Sequence, residues 1–299
     1  MDVSVIIVNY NTLQMTSDCV DSIFEMTRGI SFEVILIDNA STDGSKDHFC
    51  KDNRIIYQYS DVNLGFGKAN NKGVDIAKGR NVVFLNPDTI LINNALKILS
   101  DYLDSREKVG ACGGNLYDGS GHPVISFERC FPSILSEVDR CLKGYLFKII
   151  FGRNYKFNHT DKVLNVAYIV GADLMVKKSI LNDIGAFDKR FFMYYEEVEL
   201  CKRIFDSGYK IVNVPSAMIT HLEGQSSKET DRVTRLIKGE KMRLAGRKVY
   251  FDVVHGRLYH KFANAFRRLY FLSRLMAVKD SESRQILQTT LHNFKELYK

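Results

Sequence analysis

The chain opens on an unbroken apolar run, "VSVIIV" at residues 3–8. A run this short and this continuous predicts a strand covered on both faces. Met15, Cys19, Ile23 and Met26 then recur at three- and four-residue spacing, the period of an amphipathic helix. "FEVILID" (32–38), "RIIYQYS" (54–60) and "NVVFLN" (81–86) predict three more strands, with "GKANNKGVDIAKG" and residues 93–105 as helices. This β-α-β-α order predicts a doubly wound, mostly parallel central sheet, an α/β fold that binds ligands beyond the carboxyl ends of its strands.

The pattern is weaker from residue 110 to 160. "GGNLYDGSGHPV" (113–124) reads as a hairpin or loop, and "RCFPSILSEV" (129–138) as a lid or helix start. "LNVAYIVGADLMVKK" (164–178) predicts one or two strands, and "SILNDIGAFD" (179–188) a helix stopped by Gly185. "EEVELCKRIFDSG" (196–208) predicts a helix ending near Gly208. "YKIVNVP" (209–215) predicts the last strand of the core, with His221 after it. Beyond residue 230 the pattern is helical to the end.

Composition adds two constraints. At 299 residues, 45% hydrophobic and 26% charged, the chain suits one large α/β domain with an appendage, here residues 1–228 and 229–299. Six cysteines without a CxxC pair point to a reduced, cytoplasmic setting. The chain starts directly on a strand and has no span-length apolar stretch, which points the same way. The net charge of +7 is uneven. Residues 230–299 hold 16 Lys+Arg against 6 Asp+Glu, or +10, leaving 26 against 29, or −3, for the rest. In "RLYHKFANAFRRLYFLSRLM" basic and aromatic residues alternate. This reads either as helices packed on the core with solvated charges, or as a peripheral attachment to anionic lipid at the inner face of the cytoplasmic membrane. No nucleic-acid motif accompanies the basicity.

Candidate chemistry gathers at the predicted ligand edge. Strand one runs into Asn9 and Asn11, strand two ends at Asp38 before "NASTDGS", and strand four ends in "NPDT" with Asn86 and Asp88. Such residues also make turns and helix caps. Three such loops at one sheet edge point to a ligand. Further on, "FFMYYEEVELCKR" (191–203) sets Glu196, Glu197 and Glu199 behind bulky apolar residues, where a carboxylate is costly to desolvate without a partner or a task.

Taken in order, "VSVIIVNYN", "DNASTDGS", "NLGFGKANNKG", "FLNPDT", "VGADLMVKK", "GAFDKRFFMYYEEVELCKR" and "HLEGQSS" resemble family-2 glycosyltransferases, the rhamnosyltransferase-like branch in particular. The resemblance covers about residues 3 to 228. It implies a GT-A fold and a metal-dependent, inverting hexosyltransferase that uses a nucleotide-diphosphate sugar. Asp88 carries over as metal ligand for Mg²⁺ or Mn²⁺, since hard cations prefer carboxylate and phosphate oxygens. The family's Asp-x-Asp has Asn86 in place of its first acid, which leaves Asn86 to the nucleotide. Asp88 would otherwise cap the helix that follows. In related enzymes a histidine at the place of His221 completes the metal shell. Asp38 would accept from the base or ribose, Gly65 and Gly67 would allow close backbone approach, and Asn70 or Asn71 would face the donor.

The resemblance makes the second member of the acidic pair, Glu197, the general base. A positioned carboxylate contributes about 10²–10⁴-fold when it takes the acceptor hydroxyl's proton. Glu196 and Asp173 would bind sugar or acceptor, and Glu199 would pair with Arg203. The expected function is transfer of a sugar, first of all rhamnose from dTDP-rhamnose. The acceptor that the resemblance implies is a hydroxyl on a lipid-linked or oligosaccharide chain of a bacterial surface glycan such as O-antigen or capsule. Two alternatives stand beside it: a non-catalytic nucleotide-sugar or glycan-binding module, and a sugar nucleotidyltransferase.

Overall fold

The computed structural model describes residues 1–222 and 231–298. Strands β1 (Val3–Asn9), β2 (Phe32–Asn39), β3 (Ile55–Ser60) and β4 (Asn81–Leu85) alternate with helices α1 (Leu13–Met26), α2 (Ser45–Phe49) and α3 (Phe66–Ile76). A short β5 (Thr89–Leu91), α4 (Ala95–Asp104) and β6 (Val109–Tyr117) follow. Then come β7 (Phe127–Glu128), α5 (Ile134–Cys141), α6 (Tyr145–Phe151), β8 (Leu164–Val166), β9 (Tyr168–Ile169) and β10 (Asp173–Lys177). The order closes with α7 (Lys178–Ile184), α8 (Glu196–Asp206), β11 (Lys210–His221) and three long helices, α9 (Arg232–Val254), α10 (Arg257–Ala277) and α11 (Ser281–Leu297).

The main sheet runs β3-β2-β1-β4-β10-β6-β11-β5, with β8 on β11. β3, β2, β1 and β4 are mutually parallel, whereas β10 runs against both β4 and β6. The apolar runs are buried on both faces. Val3, Val5, Ile7, Val34, Leu36, Val83 and Leu85 enter one core, and Ile6, Val8, Ile35, Ile37, Val82 and Phe84 the other. Strict two-residue alternation therefore serves two apolar layers at once.

Three expectations need correction. Residues 113–117, expected in a hairpin or loop, belong to the central strand β6, and only the turn after Tyr117 is hairpin-like. Residues 164–178 form three short strands rather than one or two. β11 does not stop near residue 215 but runs on to His221, which is its last residue. The stretch 223–227 of the "HLEGQSS" motif and the expected boundary at 228/229 lie outside the described residues.

α9 and α10 pack against the α/β body, and α11 packs on α9 and α10. Tyr250, Phe251 and Ala263 form an apolar cluster with Phe191 and Val198, the residues flanking the acidic pair. α5, opened by a Ser133 capping box, joins the helices through a buried ion cluster. Its Glu137 accepts from Arg247 Nε of α9 at 2.9 Å and from Arg267 Nε of α10 at 2.7 Å. Among the described residues no helix is long and apolar enough to cross a membrane.

Candidate active site

The carboxyl ends of β1, β2 and β4 bring the predicted loops together. β1 ends at Asn9 in register with Asp38 of β2. Both are fully buried. Asn9 Oδ1 accepts from the Thr12 backbone and the Thr12 and Thr16 hydroxyls, and its Nδ2 donates to Ser41 Oγ. Ser41 Oγ also accepts from the Asn11 amide, and Asn11 Oδ1 accepts from the Thr42 amide. Asp38 accepts from the Ser41 amide at 3.0 Å and the Tyr57 hydroxyl at 2.8 Å. Asn9, Asn11 and Asp38 thus form one hydrogen-bonded floor that sets the shape of this corner. Asp43 caps α1 through the Leu13 amide, a turn-and-cap role. Tyr57, which holds Asp38, went unnoticed in the sequence because it lies nineteen residues away in an ordinary alternating strand.

β4 delivers Asn86 and Asp88. The Asn86 amide donates to Ala172 O at 3.0 Å, tying this end to the segment before β10. Asp88 is buried, and His221 Nε2 lies 3.4 Å from its Oδ1 and 3.5 Å from Asn86 Nδ2. The pairing of β5 with β11, Thr89 opposite His221, creates this meeting across the chain. A carboxylate and an imidazole make an incomplete shell by themselves, and no group of three such ligands exists among the described residues. The pair fits a cation that draws its remaining ligands from diphosphate oxygens and water.

Asp173 opens β10 opposite Leu85. It is fully buried; Oδ2 accepts from the Gly114 amide at 2.5 Å, and Oδ1 has no hydrogen-bond partner among the described residues. Burial raises its carboxyl to about 7, against the pull of the Gly114 amide and His221.

Glu196 and Glu197 open α8. Tyr194 and Tyr195, immediately before them, both take left-handed backbone angles, φ +69° and +74°. Such angles are strained for bulky residues and persist only where the surroundings hold them. A Cβ at Gly171 would lie 3.7 Å from Glu197 Cγ, so Glu197 packs on the segment that leads through Ala172 to Asn86. Oε2 of Glu196 and Oε2 of Glu197 are both buried without a hydrogen-bond partner among the described residues. Burial raises Glu197 to about 7, partly offset by backbone amides of the first helical turn. Burial and the neighbouring carboxylate raise Glu196 as well. Glu199 is different: Arg203 Nε and Nη2 hold its two oxygens at 2.7 and 2.9 Å.

The glycine-rich loop approaches this helix closely. A Cβ on Gly65 would fall 2.3 Å from Phe192 O, and one on Gly67 3.1 Å from Phe187 Cβ. The close approach made possible by these glycines is to the chain leading into α8. Asn70 Nδ2 donates to Phe66 O within its own helix, and Asn71 exchanges bonds with the Phe187 backbone. A wide cleft of about 950 Å³ opens elsewhere, beside Asn71, Asn182, Arg190 and Arg203. Its lining includes none of Asp38, Asp88, Asp173, Glu196, Glu197 or His221.

Comparison with known proteins places the chain in a family. The model of glycosyl transferase family 2 matches residues 4–185, and the chain belongs to that family. An N-acetylglucosaminyl-diphospho-decaprenol L-rhamnosyltransferase of Mycobacterium tuberculosis is 27% identical over 65% of this chain and 67% of its own length, in keeping with the rhamnosyltransferase-like branch. Glycosyltransferase GlyG of Streptococcus pneumoniae is 25% identical over 64% of this chain and 61% of its own length. Among solved structures, the mannosyltransferase PcManGT from Pyrobaculum calidifontis, in complex with GDP-Man and Mn²⁺, covers 99% of this chain and 74% of its own, with a TM-score of 0.58 at 15% identity. The fold is of the GT-A type. The family match ends before α8, so the acidic pair and the C-terminal helices lie beyond it.

Proposed function

We propose that this family-2 enzyme transfers rhamnose from dTDP-rhamnose to a hydroxyl of a lipid-linked or oligosaccharide acceptor in a bacterial surface glycan. The donor reading is supported by the relative named for L-rhamnosyl transfer to N-acetylglucosaminyl-diphospho-decaprenol. The observation that carries the chemistry is Glu197, a carboxyl raised to about 7 with one oxygen lacking a hydrogen-bond partner among the described residues, packed on the segment that reaches the Asp88–His221 pair. A base with its pKa near neutrality is matched to accepting a hydroxyl proton.

In one in-line displacement the acceptor oxygen attacks C1 of the sugar and gives its proton to Glu197. The bond from C1 to the diphosphate oxygen breaks with its electron pair, and the anomeric centre inverts. Asp88 and His221 would hold Mg²⁺ or Mn²⁺, which when bound neutralises charge on the leaving diphosphate. Asp173 and Glu196 would bind hydroxyls of the sugar or acceptor. Asp38, with Asn9, Asn11 and Asn86, would line the nucleotide pocket, with Gly65, Gly67 and Asn70 beside it. Residues 1–228 would form the transferase unit, and 229–299 an appended helical segment that keeps the enzyme at the inner face of the cytoplasmic membrane.

The test is nucleotide diphosphate release from dTDP-rhamnose and from glucose, galactose and mannose donors, with Mg²⁺, Mn²⁺ or EDTA. Release from dTDP-rhamnose that EDTA abolishes is expected. No release from any donor, even with membrane extract as acceptor source, would favour a binding module.

A further inference from the structure

Helix α10 carries an apolar row that no described part of the protein covers. Leu258, Phe262, Leu269, Leu272 and Met276 are all between 42% and 81% exposed. With Ala265, also exposed, they repeat at intervals of four and three residues along the whole helix. At 100° per residue they occupy a strip about 80° wide. The opposite face is already committed: His260, Ala263, Arg267 and Phe271 are buried against the neighbouring helices.

The charges around the row identify its occupant. Residues 257–277 contain five Lys or Arg and no Asp or Glu. Arg257, Lys261 and Arg268 are exposed and follow one edge of the row within about 40° of each other. A seam at this spacing would suit a second copy of the same helix in shape. Pairing two such helices, however, would set like charges against like, with no acid to relieve them. An anionic bilayer surface complements both features, since apolar side chains enter the acyl boundary while the cations meet the headgroups.

We propose that α10 is the face on which the protein docks flat on an anionic lipid bilayer. The proposal names the surface for the membrane placement proposed above and rests on that placement; it is independent of the sugar-transfer chemistry, because its test measures binding alone.

The experiment is co-sedimentation of the full chain with vesicles of phosphatidylglycerol and phosphatidylcholine, beside vesicles of phosphatidylcholine only. Binding to the anionic vesicles is expected, at least about tenfold tighter than to the neutral ones, and weakening as salt rises. The Phe262→Glu/Leu269→Glu variant should lose binding. Lys261→Glu/Arg268→Glu should weaken it by at least about fivefold for each cation removed. Circular dichroism establishes that each variant is folded, and Met276→Ser supplies a milder change at the most exposed position, with weaker binding expected. Equal binding to both vesicle types, no binding, or binding indifferent to these changes would overturn the proposal. So would a dimer in sedimentation velocity that Leu269→Glu dissociates, which would give the row to a second copy.

Discussion

A Cβ on Gly246 of α9 would lie 2.2 Å from the carbonyl oxygen of Tyr194, two residues before the acidic pair. The helix backbone therefore presses directly on the strained loop that aims Glu196 and Glu197. Arg243 stacks 4.7 Å from the Tyr194 ring centre on one side, and Tyr250 meets the Tyr195 ring at 5.7 Å on the other. The appended helices are in this way part of the frame around the candidate base.

Gly246→Ala should disturb that frame, because the obstructing atom is backbone and cannot swing aside. A loss of about 1–3 kcal/mol in stability is expected, with sugar transfer falling further than donor affinity. Thermal melting and donor titration measure the two effects separately. Unchanged melting and transfer would mean that α9 does not hold the loop.

The Glu137–Arg247–Arg267 cluster ties the same helices to α5. Glu137 is only 2% exposed, and its loss would leave two buried guanidinium groups without their carboxylate. Glu137→Ala should cost about 3–5 kcal/mol in urea unfolding, as for other buried pairs broken on one side. Burial pushes the Glu137 carboxyl up, and Arg267 and Arg247 outweigh it and hold the carboxyl at about 2, against an ordinary 4.5. Its contribution is present above the ordinary value and is lost as pH falls toward about 2.

Glu197 contributes with the opposite sign. Its carboxyl sits at about 7 in the fold against 4.5 ordinarily, so across that window the folded chain keeps a proton that the unfolded chain has released. Stability falls as pH rises through the window, by up to about 1.4 kcal/mol per pH unit for one such group. Glu197→Gln should flatten the slope between about pH 5 and about pH 8, and Glu196 and Asp173 should keep part of it. Urea midpoints at the two ends measure this. Transfer by the native enzyme should rise as Glu197 ionises and level off above about pH 7.

Asp88→Asn and His221→Ala test the metal reading without relying on overall rate. Each should raise the Mn²⁺ concentration that gives half-maximal transfer by at least about tenfold. A metal response identical to that of the native chain would remove both residues as ligands.

Much of this was legible in the sequence wherever a residue's own neighbours decide its structure. The runs beginning at Val3, Phe32 and Asn81 read as strands because each holds a continuous apolar stretch, 5–8, 34–37 and 82–85, that is covered on both faces. β6 escaped because its glycines answer to distant atoms. A Cβ on Gly113 would meet Ile169 Cγ2 at 2.4 Å, and one on Gly114 would meet Ala217 O at 2.4 Å. The acids at strand ends stood out as candidates, since Asp38 and Asp88 interrupt apolar or turn-forming stretches. The hold of Tyr57 on Asp38, the meeting of Asp88 with His221 and the pressure of Gly246 on Tyr194 come from pairings far apart in the chain. No local period encodes them.

The most direct test of Glu197 as general base is transfer by Glu197→Gln, measured with donor affinity in the same preparation. The substitution keeps the shape and removes the ability to take a proton. Transfer should fall by about 10²–10⁴-fold while donor affinity stays within about twofold. Transfer within about threefold of the native rate would contradict the assignment and leave the proton to another group.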